Sequence, residues 1–194
     1  MDSEETFYKL TCLETDKETS SSRNFNGRGR AKYPNGDIYE GEFISRKRTG
    51  RGIYKYHNGN NYSGQWLNNF KDGFGEMKYK DKSLYRGNFQ NSTRHGEGKM
   101  NYPNGDFYSG QWKYGNRHGN GLYSYQENQQ KLEGIWSKGN LTQGRWVLPG
   151  GIVYEGNFDQ NVPVGEGKWI LVNGEVVEGT FITYLLYTSP SPRD

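Results

Sequence analysis

Residues 85–105 read YRGNFQNSTRHGEGKMNYPNG, and most of the chain repeats this stretch with small changes. It opens on Tyr85-x-Gly87-x-Phe89, continues after a polar segment with Gly96-x-Gly98-x-Met100, and closes on Pro103-Asn104-Gly105. Copies begin at Tyr39, Tyr62, Tyr85 and Tyr108, each 23 residues apart. The phase then runs to Leu132, a step of 24, to Tyr154, a step of 22, and to a half-copy at Val177, 23 later. Gly27, Gly29 and Pro34-Asn35-Gly36 supply the back half of an earlier copy. Of the 28 glycines only Gly115, Gly139 and Gly150 fall off the phase. A fixed period of this length marks a repeat architecture, in which each unit is completed by its neighbours.

Within a copy the alternation has period two, which predicts strands rather than helix. Tyr85, Gly87 and Phe89 share one strand face; Gly96, Gly98 and Met100 share a face of the next, after a loop of about six residues. Pro-Asn-Gly then predicts a type I turn with its glycine left-handed, a three-residue hairpin loop with a bulge. That turn sets Tyr102 opposite Asp106, Met100 opposite Tyr108 and Gly98 opposite Gly110. Aromatic rings then lean over glycines, compensating for the bare backbone. The expected fold is all-β: an elongated single-layer antiparallel sheet of tandem hairpins. About 14 strands would make a ribbon roughly 65 Å long.

Composition agrees with a ribbon. Only 31% of the 194 residues are hydrophobic, too few for a thick core, and the apolar area is carried mostly by aromatic rings. No apolar run approaches the ~20 residues of a membrane span, and no signal-peptide pattern opens the chain. A single cysteine, Cys12, excludes an intramolecular disulfide or a Cys-based zinc cage and points to the cytosol.

Three segments follow. Residues 1–24 are acidic, polar and aperiodic, and read as a disordered leader, with a short helix allowed around residues 7–13. Residues 25–181 form the array, about six copies plus partial ends. Residues 182–194 leave the period; their ending, LLYTSPSPRD, resembles translated adapter sequence at the end of assembled transcripts, and no structure is expected there. Within the array the turn glycine becomes Lys82 in one copy and Asn128 in another, the latter tolerating the left-handed region well. The fifth copy has Thr142 where a glycine is expected.

Two residue sets stand out as candidate interaction sites. The aromatic stripe is Tyr39, Phe43, Tyr62, Trp66, Tyr85, Phe89, Tyr108, Trp112, Trp136, Tyr154 and Phe158. It packs the ribbon and could also offer a long shallow trough to a partner's helix or extended segment. The loops inside the copies carry Arg46, Lys47, Arg48, Lys71, Arg94, Lys113, Arg117 and Lys138 against Asp72 and Asp159, which predicts one basic long edge. Such an edge is a solvated rim or a contact for anionic lipid. Aromatics facing glycines with basics at the rim do not suit single-stranded nucleic acid.

Catalytic chemistry is not expected. Gly-x-Gly recurs without a third glycine or a helix entry, so no nucleotide cofactor site is predicted. Glu40, Glu97, Glu155 and Glu166 recur in phase or stand between glycines, with nothing to pair them in a closed pocket. His95 and His118 repeat in phase and should line the basic edge; His57 sits alone in a turn, and no metal set is predicted.

The Tyr-x-Gly-x-Phe/Trp opening and Gly-x-Gly-x-Tyr/Met middle, repeated at 23 over residues 25–181, resemble the MORN repeat. That resemblance implies an elongated antiparallel sheet acting as scaffold, dimerisation element or membrane-proximal module. GRGRAKYPNGDIYEGEF near the start, LEGIWSKGNLTQGRWVLPGG in the fifth copy and YEGNFDQNVPVGEGKW in the sixth resemble radial spoke head members of that family. This implies a non-enzymatic scaffold of the ciliary axoneme, docking other spoke-head proteins and able to form a homodimer, with no catalytic residue or cofactor. The rival is a module binding phosphoinositide lipid through the basic edge.

Overall fold

The computed structural model describes residues 8–181. They contain no helix and form one open antiparallel sheet of 16 strands. The first three are β1 (Lys9–Cys12), β2 (Glu18–Thr19) and β3 (Gly27–Lys32). Then come β4 (Ile38–Ile44), β5 (Lys47–Lys55), β6 (Asn61–Leu67), β7 (Phe70–Lys78), β8 (Leu84–Gln90) and β9 (Thr93–Asn101). The rest are β10 (Phe107–Lys113), β11 (Asn116–Ser124), β12 (Lys131–Ser137), β13 (Asn140–Val147), β14 (Val153–Asp159), β15 (Val162–Ile170) and β16 (Val176–Phe181). From β3 onward every strand pairs with its neighbours in sequence.

The Pro-Asn-Gly turn sets the expected register. Met100 lies opposite Tyr108 and Gly98 opposite Gly110. Tyr102 N–H donates to Asp106 C=O at 2.9 Å, and Gly105 is left-handed at φ 88°. The other connection differs from the expected six-residue loop. It is a two-residue turn: Asn91 and Ser92 both have positive φ (48° and 67°), as do Ser45–Arg46, Asn68–Asn69, Tyr114–Gly115, Lys138–Gly139 and Gln160–Asn161. Two consecutive positive φ values define the type I′ hairpin turn, whose twist matches that of the flanking strands. The out-of-phase Gly115 and Gly139 are therefore second turn residues, and Gly150 is another left-handed turn residue. Lys82 takes the left-handed position as expected (φ 76°), but in the next irregular turn Gln129 (φ 58°) takes it instead of Asn128, because that loop closes one residue later on Gln130.

The residues freed from the loop extend the second strand around a bulge. In the regular copies the bulge lies between Gly41 and Glu42, Gly64 and Trp66, Gly87 and Phe89, and Gly110 and Trp112. The tyrosine that opens each copy secures it. Tyr39, Tyr62, Tyr85 and Tyr108 donate their hydroxyls to the carbonyls of Glu42, Gln65, Asn88 and Gln111, at 2.8–3.0 Å. To reach that carbonyl the ring lies flat over the paired glycines. A Cβ on Gly87 would sit 2.6 Å from Tyr85 Oη and from the Glu97 carbonyl oxygen, which no side chain could tolerate.

The irregular fifth copy keeps this arrangement by substitution. Leu132 has no hydroxyl, and Thr142 donates to the equivalent carbonyl, Ile135, at 3.0 Å. Trp146 stands opposite Leu132, at the position of Tyr54, Met77, Met100 and Tyr123 in the other copies.

The leader is not disordered along its length, and the helix allowed there is absent from its described part; Phe7 and the residues before it, like the tail from 182, lie outside the described residues. Lys9–Cys12 pairs with β3, and β2 closes that edge. Leu10 is fully buried against Ala31 and Gly29, where it and Phe25 stand in for the tyrosine ring of a regular copy. One large apolar residue at the right register lets an aperiodic segment cap the sheet.

Candidate functional site

One face of the ribbon carries nearly all the buried apolar surface. The eleven stripe residues are between 0% and 5% exposed, although the sheet has a single layer. They interlock edge-to-face: Tyr85 contacts Phe89 of its own copy at 5.1 Å between ring centres and Trp112 of the next copy at 5.3 Å. Tyr39, Tyr62 and Tyr108 do the same with Phe43 and Trp66, Trp66 and Phe89, and Trp112 and Trp136. Such contacts contribute about 0.5–1.5 kcal/mol each beyond burial. The indole N–H groups of Trp66, Trp112 and Trp136 donate to the carbonyls of Gly52, Gly98 and Gly121, tying each copy to the one before. Leu132 interrupts the ring chain, which resumes at Tyr154 with Phe158, Trp169 and Phe181.

The stripe is therefore a packed interior and not an open trough. It is covered by two further rows that sequence reading did not separate. Tyr33, Tyr56, Tyr79, Tyr102 and Tyr125, half-buried, flank it on the Pro-Asn-Gly side. Arg48, Lys71, Arg94 and Arg117 cover it on the other. The Arg94 guanidinium lies 4.4 Å from the Trp112 ring centre, that of Arg48 4.7 Å from Trp66, and that of Arg117 5.1 Å from Trp136. Lys71 Nζ stands 5.5–5.7 Å from Tyr62, Phe89 and Tyr56 and bonds the Tyr56 hydroxyl at 3.3 Å. Both rows keep the 23-residue period, the signal that could have found them.

The expected basic edge thus divides. Arg46, Lys47, Lys113 and Lys138 are exposed on the loop rim, whereas the four-residue row turns inward onto the rings. A long cationic side chain gains more from an aromatic face and its own buried stem than from full hydration of both. Burial lowers the proton affinity of the Lys71 ammonium, and the neighbouring Arg48 and Arg94 act the same way. The phenols of Tyr39, Tyr62, Tyr85 and Tyr108 are pushed well above their ordinary range by burial.

Two buried carboxylates at the turn edge complete the face. Asp106 accepts from Tyr123 Oη at 2.9 Å and from Gln126 N–H at 2.8 Å; Asp37 accepts from Tyr54 Oη and His57 N–H, both at 2.7 Å. Burial works to raise the Asp37 carboxyl, but these bonds and one from Asn35 bring it below the ordinary carboxylate range. His57 is thus a turn residue of this clamp, and its ring lies against Gly36. His95 and His118 are half-buried; the His95 ring meets Tyr114 at 5.9 Å. Among the described residues no group of three or more His, Cys, Asp or Glu could hold a metal ion, and no helix is long and apolar enough to cross a membrane.

The opposite face is polar and carries the ion pairs, including Arg30–Glu40, Arg86–Glu76 and Lys168–Glu155. Where the glycines leave its backbone bare it forms an open groove of about 420 Å³ beside Ile53 and Phe74.

A single-layer sheet of 23-residue hairpins, held by a tyrosine–glycine interlock, defines a repeat scaffold. Residues 22–38, 39–61, 62–84, 85–107, 108–129 and 154–176 each match the model of the MORN repeat, and the chain belongs to the MORN-repeat family. No curated protein matches the sequence. Among solved structures it is similar to the TCP domain of Drosophila melanogaster SAS-4 in complex with a proline-rich motif of Ana2, at 16% identity and TM-score 0.50 over 81% of this chain and 86% of that one. It is also similar to the CPAP G-box domain (13%, TM-score 0.47, 90% and 99%) and to the TCP10 domain of Danio rerio CPAP (14%, TM-score 0.39, 89% and 99%). These likenesses concern the form of the sheet.

Proposed function

We propose that the chain is a non-enzymatic scaffold subunit of the radial spoke head in motile cilia or flagella, docking other spoke-head proteins and supporting motility. The observation that carries this reading is the pair of departing copies, residues 132–151 and 154–169, which resemble the last repeats of radial spoke head protein 1. Leu132 and Thr142 depart together, and the Thr142 hydroxyl makes the bond that the missing phenol would, so the departure is a built feature of the array. The physical role is that of a stiff, extended platform whose aromatic and cationic face meets its partners through the tyrosine and cation rows. The SAS-4 TCP domain, similar in fold, is solved in complex with a proline-rich motif, which supports a peptide partner for a sheet of this form.

Contact with a flat anionic bilayer is the weaker reading, because Arg48, Lys71, Arg94 and Arg117 are half-buried, within reach of a narrow peptide rather than of a membrane surface, leaving four exposed rim cations. Tagging the protein in ciliated cells and extracting axonemes tests the proposal. Retention in the axoneme and release together with the spoke heads is expected. Confinement to the plasma membrane or basal body, or salt-sensitive binding to phosphoinositide vesicles lost when Arg46 and Lys47 are reversed, would overturn it.

A further inference from the structure

We infer that Arg48, Lys71, Arg94 and Arg117 form a binding row for an acidic peptide segment whose carboxylates recur about every 10 Å. The inference deepens the docking reading above and rests on it. The four residues occupy one position in successive copies, each opposite the Phe or Trp next to the end of the preceding strand. Successive members are two strands apart, about 9.6 Å, so the row spans roughly 29 Å.

Charge bookkeeping on this face is incomplete. None of the four pairs with a carboxylate among the described residues, and all five ion pairs found there lie on the other face. Asp37 and Asp106, on the same face, are committed to tyrosine hydroxyls and turn amides. Each arginine bonds one carbonyl of the next loop: Arg48 to Asn69, Arg94 to Gly115 and Arg117 to Gly139, at 2.7–3.1 Å. A guanidinium has five N–H donors, and each of these bonds uses one; Arg48 Nε is buried without a hydrogen-bond partner. The rings stabilise each cation singly, but no carboxylate offsets the repulsion along the row, and an anion lying along it would do so.

The row also has an end. In the fifth and sixth copies its position is taken by Leu141, opposite Trp136, and by Pro163, opposite Phe158. The acidic stretch of the ligand therefore spans copies one to four and ends there. Carboxylates at every third residue of a polyproline II chain (about 9.3 Å apart), or every seventh of a helix, match the spacing and share one face.

The test uses fluorescein-labelled peptides with Glu at every third position of a proline-rich chain or every seventh of a helix, and Lys counterparts, titrated against the full chain by anisotropy at low and high salt. The Glu peptides should bind, more weakly as salt rises. Arg94→Gln with Arg117→Gln should weaken binding about tenfold or more, Arg94→Lys with Arg117→Lys much less, and Lys113→Gln with Lys138→Gln less than about twofold. Thermal melts of each variant separate lost binding from lost fold. Equal binding of Glu and Lys peptides, a rim variant as damaging as the row variant, or binding only to anionic vesicles would overturn the assignment. Failure here alongside spoke-head cross-links from Tyr102 would leave the docking reading standing; loss of both would remove it.

Discussion

Replacing Trp112 measures how much of the ribbon's cohesion passes between copies. The side chain is 4% exposed, touches Tyr85 and Tyr108 edge-to-face, donates its N–H to Gly98 C=O at 3.0 Å and lies under Arg94. Burial of roughly 150–250 Å² at about 25 cal/mol per Å² gives about 4–6 kcal/mol. That is an upper estimate, because the unfolded chain already hides part of this area. We expect Trp112→Ala to cost about 4 kcal/mol, in the range of large aromatic truncations. Trp112→Phe should cost about 1–2 kcal/mol, because Phe43 and Phe89 fill the same position in other copies and only the indole bond and part of the area are lost. Urea unfolding followed by far-UV circular dichroism checks both. In a quasi-one-dimensional array the alanine variant should also separate into two transitions, one from each side of the weakened contact. A shift under about 1 kcal/mol for Trp112→Ala, or equal costs for the two variants, would refute the interlock.

Thr142→Val keeps the shape but leaves the Ile135 carbonyl without its donor, and should cost about 0.5–1.5 kcal/mol by the same unfolding assay. Gly87→Ala should cost about 3 kcal/mol or more, because two of the atoms its Cβ would meet, Glu97 O and Gly98 Cα, are backbone; a melt like that of the unmodified chain would contradict the close approach. Since burial raises the Tyr39, Tyr62, Tyr85 and Tyr108 phenols, the folded chain holds protons that the unfolded chain releases. That stability is fully present below about pH 10 and is lost as pH rises beyond it. Tyrosinate absorbance should appear together with loss of the near-ultraviolet dichroism, and titration of these phenols in an intact fold would contradict their burial.

Much of the fold was legible because glycine and tyrosine are placed by hard contacts. Gly87 and Gly98 admit no side chain beneath Tyr85, and Pro103-Asn104-Gly105 admits one hairpin register. The opposite turn was not legible, since its positive-φ pair is Asn91–Ser92 or Ser45–Arg46, without the Asn-Gly signature, and the bulge lengthens its second strand. The capping strand around Leu10 was hidden because it has no period and is recognised only by the slot it fills. At the candidate site the aromatic stripe was legible as packing. The inward lean of Arg48, Lys71, Arg94 and Arg117 was not, because a flexible side chain at a rim position can face either water or a ring. Their common spacing, and that of Tyr33, Tyr56, Tyr79, Tyr102 and Tyr125, was the available clue.

The claim that this face docks spoke-head partners is tested most directly by a photo-cross-linking residue placed in assembled axonemes. One variant carries it at Tyr102, in the half-buried tyrosine row, and one at Phe74, which is 60% exposed on the opposite face. Cross-links from Tyr102 into acidic segments of radial spoke head subunits, with few or none from Phe74, are the expected result. Spoke-head cross-links from Phe74 alone, or none from either position in an axoneme that contains the protein, would contradict it.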